Sequence, residues 1–174
     1  MLNHIDLPKE LWSYIKPLDY SKMLPDDEGH HWNIFNISNF VTTEGLEWFL
    51  QRGLVLRSTA FLFRMSPNYE GPIHCDVVDY AINFVLGGHG TMEWISDLDA
   101  TTYISNVHGV SYERYKDIKK YNISDTWTGS AGIVRVNVPH RVTTSDTVRY
   151  CLSLRTIESV SPKTFDDVVK LIYN

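Results

Sequence analysis

The chain has 174 residues, 43% of them hydrophobic, enough for one compact domain with a core of its own. Its net charge is −5 and its pI about 5.7, which removes the basic footprint that a duplex nucleic-acid binder needs. Two cysteines build no disulfide framework, no apolar run reaches membrane-spanning length, and no basic-then-apolar leader opens the chain; a reducing cytoplasm is the expected compartment.

Residues 1–53 read as a helical and irregular lead-in. Leu7, Leu11, Trp12 and Ile15 have helical spacing, residues 25–31 form a polar loop, and residues 32–40 hold a short strand. A helix is expected from a cap at Thr43 through Gln51, with Gly53 past its end. Strands then follow at residues 54–65, 73–77, 80–86 and 91–95, with the glycine cluster at 87–90 between the last two. Residues 97–130 carry little pattern and read as an insertion with a short helix over 112–120; the basic run 114–120, balanced by Glu113 and Asp117, reads as solvated surface. The last strands are expected at 132–142 and 147–156, and Pro162 opens a closing helix with Phe165, Val168, Val169 and Ile172 on one side. Short, closely spaced strands with helices only at the ends predict an all-β sandwich or barrel: a core over 54–156, flanked by the lead-in and a C-terminal helix in 157–174.

The chemistry centres on His74-Cys75-Asp76. Alternate side chains of a strand share a face, so His74 and Asp76 point one way and Cys75 the other. A lone His-x-Asp is weak evidence, because His4-Ile5-Asp6 is a second copy with no strand pattern around it. The third ligand is expected at His140. In residues 133–142, Val134, Val136, Val138, His140 and Val142 share a face that must be buried. Alone, such a histidine is more often a hydrogen-bonded core residue than a ligand; joined to His74 and Asp76 it completes a facial triad suited to non-haem iron(II). A three-histidine site would need His89 or His108, both outside the strands, and a structural zinc site would need four closed ligands.

Nine residues after His140 stands Arg149, which shares a strand face with Cys151, Ser153 and Arg155, while Tyr150, Leu152 and Leu154 share the other. One reading leaves both arginines in water. The other turns Arg149 inward, where a guanidinium needs a carboxylate partner.

His74-x-Asp76, His140 and Arg149 together resemble the iron(II)/2-oxoglutarate-dependent dioxygenases over about residues 55–156. The run 73–76 with Ala81-Ile82-Asn83 is similar to the prolyl- and aspartyl-hydroxylase-like members, including small viral and bacterial ones. The resemblance implies a double-stranded β-helix (a cupin-like jelly roll), iron(II) held by His74, Asp76 and His140, and dioxygen and 2-oxoglutarate as cosubstrates. It further implies that Arg149 holds the far carboxylate of 2-oxoglutarate; the Asn83 amide either assists or makes a structural hydrogen bond. The chain departs from the Arg-x-Ser form of one branch, having Arg149-Tyr150-Cys151, so Arg155 is a rival anion-binding residue. The implied reaction is hydroxylation of a C–H bond in an amino acid, a peptide side chain or a small metabolite, under lids at 30–35 and 97–130. Two other readings keep the fold: a cupin-type metal enzyme without 2-oxoglutarate, and a non-catalytic binding module.

Overall fold

The computed structural model describes residues 2–27, 29–107, 109–162 and 164–173. Ten strands run in chain order: β1 His4–Asp6, β2 His31–Asn36, β3 Leu56–Met65, β4 His74–Asp76, β5 Tyr80–Gly87, β6 Gly90–Val107, β7 Val110–Trp127, β8 Ala131–Arg135, β9 His140–Thr144 and β10 Arg149–Thr156. Helix α1 spans Thr43–Gln51 and α2 spans Phe165–Tyr173.

The strands form two antiparallel sheets. One has six strands in the order β1-β8-β5-β10-β3-β2; in the other β4, β9, β6 and β7 pair in sequence, and β7 returns to β4 so that the sheet closes. From β3 to β10 the chain passes back and forth between the sheets, except at the β6–β7 hairpin, which stays in the closed one. That winding is a double-stranded β-helix, the jelly roll expected from the sequence.

Alternation explains where the core lies. Ala60 and Leu62 of β3, Ile82 and Phe84 of β5, and Leu152 and Leu154 of β10 face outward from the six-stranded sheet. They pack beneath Phe49 of α1, Phe165 and Val168 of α2, and Leu11. A second, smaller cluster of Ala81, Met92, Trp94, Trp127, Val134 and Val136 fills the space between the sheets. The opposite face of β3, β5 and β10 is thereby left to line a cleft.

Six expectations are corrected. His4–Asp6 is a strand after all, paired with β8 through His4↔Val134; three residues carry too little pattern to announce an edge strand whose pairing is supplied by tertiary contact. The segment over 7–15 forms a short 3-10 helix over Lys9–Tyr14, and α2 begins at Phe165, where Thr164 Oγ1 accepts from the Asp167 amide, rather than at Pro162. The cap of α1 is Thr42, whose hydroxyl accepts from the Gly45 amide.

The largest difference is over 97–130, where no helix forms. Strands β6 and β7 are each 18 residues long and pair from Met92↔Trp127 to Val107↔Val110. The hairpin is bent by register shifts near Asp97 and by Asp97 and Asp117 at φ 50 and 52. Both of its faces are largely wet, so no apolar stripe marks it. Nor is 132–142 one strand. β8 ends at Arg135 and β9 begins at His140; between them the chain crosses from one sheet to the other, and Pro139 offers no ladder N–H. Among the described residues no helix is long and apolar enough to cross a membrane.

Candidate metal centre

His74, Asp76 and His140 come together at the mouth of the closed sheet. His74 of β4 stands opposite His140 of β9, the two rings lie 4.3 Å apart, and one ligand atom from each of the three residues falls within 4.8 Å of the others. The valine alternation is not what buries His140, since the strand breaks before it. Its position as the first residue of β9, paired with both His74 and Trp94, does so and leaves it 3% exposed.

Backbone carbonyls fix the tautomers. His74 Nδ1 lies 2.9 Å from the carbonyl oxygen of Pro72, and His140 Nδ1 lies 2.9 Å from that of Val138. A carbonyl only accepts, so each Nδ1 carries the hydrogen and each Nε2 keeps its lone pair. Burial, with the His74 imidazole beside it, pushes His140 down to about 3, which keeps the ring neutral and able to ligate near pH 7.

Asp76 is divided between two tasks. Its Oδ2 accepts from Arg155 Nη2 at 2.8 Å, while Oδ1 is buried without a hydrogen-bond partner, 3.7 Å from His74 Nε2. An orphaned buried carboxylate oxygen beside two imidazole lone pairs is the donor set of a divalent-metal site with open positions, and the residues fit such an ion. Arg155 Nη1 also donates to Ser153 Oγ at 2.6 Å, and Ser153 donates to Asn83 Oδ1 at 2.6 Å. Arg155 is therefore tied to the Asp76 carboxylate, and Asn83 takes part in a hydrogen bond within the cleft wall. The second copy, His4 and Asp6, lies apart: His4 stacks on Trp94, and Asp6 accepts from the Trp127 indole. His89 stands apart from His74, Asp76 and His140, and His108 lies outside the described residues.

The cleft holds about 400 Å³, within the range of small-molecule sites. Arg149, Cys151, Ser153 and Arg155 all line it, so of the two orientations open to β10 the inward one is found. Arg149 is 3% exposed, its Nη1 lies 3.6 Å from Met65 Sδ, its Nε has no hydrogen-bond partner, and no carboxylate pairs with it among the described residues. Gly90 makes room for it. A Cβ there would run into the carbonyl of Thr143 and stand 2.8 Å from Arg149 Cδ. Cys75 points away, to Tyr115, as the alternation requires.

Sequence reasoning missed Arg114. Read as part of a solvated run, it is half-buried on β7 opposite His74 and lines the cleft. Once 110–116 is seen as a strand, alternation puts Tyr112 and Arg114 on one side, and that was the available signal.

No family model matches the chain, and no curated protein matches it. Among solved structures it is similar to the coconut allergen cocosin, at 13% identity and a TM-score of 0.40 over 76% of this chain and 27% of that one. It is similar also to oxalate decarboxylase from Bacillus subtilis, at 13% identity and a TM-score of 0.38 over 75% and 26%. The chain spans about a quarter of the length of either. Likeness at that level assigns no chemistry; the jelly roll is defined by the strand order itself.

Proposed function

We propose that the protein is a metal-dependent jelly-roll enzyme and, more finely, a non-haem iron(II) and 2-oxoglutarate-dependent dioxygenase that hydroxylates a C–H bond of a small molecule or peptide. His74, Asp76 and His140 would hold the metal. Bound iron(II) would supply dioxygen activation coupled to the decarboxylation of 2-oxoglutarate to succinate. The protein's own part is to orient and to exclude water. The Pro72 and Val138 carbonyls hold both imidazoles, Arg155 fixes the Asp76 carboxylate, and Arg149 offers a forked, buried cation at the cleft wall.

Arg149 is the observation that carries this reading. A guanidinium buried without a carboxylate is costly, and a ligand carboxylate would remove the cost through a bidentate pair. The pairing of Arg155 with Asp76 favours Arg149 over its rival for that role.

A second reading takes the same feature differently: a cupin-type metal enzyme in which Arg149 holds the carboxylate of the substrate and no 2-oxoglutarate is used. Anaerobic titration of the iron(II)-loaded protein with 2-oxoglutarate separates the two. The expected result is a saturable visible charge-transfer absorption in the wild type that Arg149→Gln weakens at least roughly tenfold, with iron affinity little changed. No absorption, or absorption indifferent to Arg149, would move the function to the second reading. Iron retained by His140→Ala would remove both.

A further inference from the structure

The cleft is positively charged in a negatively charged protein. The chain carries −5, yet the charged side chains lining the cleft are Arg57, Arg114, Arg149 and Arg155 against the single carboxylate of Asp76. Two of these cations are already answered: Arg155 by Asp76 at 2.8 Å, and Arg57 by Glu158 at 3.3 Å. Arg149 is assigned above to 2-oxoglutarate. That leaves Arg114.

Arg114 stands directly across from His74 in the β4–β7 ladder, one strand spacing from a metal ligand. Its Nε is buried without a hydrogen-bond partner, it has no ion pair among the described residues, and its guanidinium lies 5.9 Å from the centre of the Tyr112 ring. Beside it is a wall of rings. Trp32 lies 5.8 Å from Phe61, 6.0 Å from Phe63 and, edge-on, 6.3 Å from Tyr112. Flat apolar walls at one end of a cleft and an unanswered guanidinium at its rim suit a ligand with a matching division. A neutral ligand would leave Arg114 unpaired, and a cationic one would also meet a repulsive field.

We infer that the substrate is a small anion with a planar apolar body, its carboxylate or phosphate held by Arg114 and its body packed against Trp32, Phe61, Phe63 and Tyr112. This rests on the function proposed above, because it fills the part of the cleft that 2-oxoglutarate leaves. It narrows the substrate class from any small molecule or peptide side chain to an acid.

The test is calorimetric titration of the protein without added metal, using indole-3-acetate, phenyl phosphate and the neutral indole-3-acetamide. At least one of the two anions should bind at least tenfold more tightly than the amide, and which of the two does so separates a carboxylate from a phosphate. Arg114→Gln should reduce that anion to the level of the amide, and Arg114→Lys, which keeps charge without the fork, should restore part of the difference. Arg149→Gln and saturation with 2-oxoglutarate should leave the preference intact. Equal binding of acid and amide, no binding by either anion, or loss of the preference with Arg149 rather than Arg114 overturns the inference. Retained 2-oxoglutarate binding by the iron-loaded Arg114 variants shows that they fold. Should 2-oxoglutarate fail to bind the wild type while the preference dependent on Arg114 holds, the proposed function falls and this assignment stands. The reverse pattern removes this assignment alone.

Discussion

Asp76 shows how one side chain can be both anchored and available. One oxygen is held by Arg155 and the other is buried and unclaimed, so the carboxylate needs no rearrangement to accept a cation. Both partners are about one-tenth exposed, so breaking the pair strands a charge. Arg155→Met keeps the length of the stem and a soft contact to Phe61, over which the guanidinium now lies. The metal-free variant should lose on the order of 3 kcal/mol of stability. Zinc should then raise its melting temperature by more than it raises that of the wild type, because the ion supplies the missing positive charge. A smaller rise would mean that Arg155 serves only to aim Asp76. At this scale the placement of the side chains, though not their role, was largely legible in the sequence. His74 and Asp76 follow from strand alternation alone. The burial of His140 has another cause than the valine face, which predicts one continuous strand, because the strand ends at Arg135.

At the scale of elements, the ends of the strands decide where side chains point. Gly90 opens β6 against Thr144 of β9, and its missing side chain is the space through which the stem of Arg149 passes. Gly90→Val should displace the Thr143 carbonyl and push that stem aside, with less effect on the proposed metal ligands at the other end of the same ladder. Crowding of this kind costs about 1–3 kcal/mol, which predicts a 2-oxoglutarate affinity weakened roughly tenfold with metal affinity nearly unchanged. Parallel losses of both would show that the strain travels along β9 to His140. The β6–β7 hairpin was the element least visible in the sequence. A ribbon wet on both faces and bent by register shifts lacks the alternation by which strands are recognised, and its tyrosines and charges resemble a loop. Arg114 was lost with it. The other strands of the jelly-roll winding were more legible, because β3, β5, β8 and β10 each place an apolar face on one of two cores.

For the whole molecule, one buried histidine links stability to pH. Burial pushes His140 down to about 3, below the ordinary value of 6.5. A histidine depressed in the folded state binds its proton more readily when unfolded. Its contribution to stability is therefore complete above about pH 6.5 and is lost as pH falls towards the folded value. The metal-free protein should show a flat melting temperature from pH 8 to 7 and a fall that steepens between about pH 6 and 4. In His140→Phe the decline should be shallower; an unchanged slope would show that other groups govern acid sensitivity.

The two sheets also divide the anchors of the cleft. Arg149 belongs to the six-stranded sheet, whereas His74, Asp76, His140 and Arg114 belong to the closed one. Their separation is set by the side chains packed between the sheets, among them Ala81, Met92, Trp94 and Val134, and not by any single loop. The molecule is in effect a caliper. Jaws on separate plates gauge the length of whatever bridges them, and the volume of a few apolar residues sets the opening.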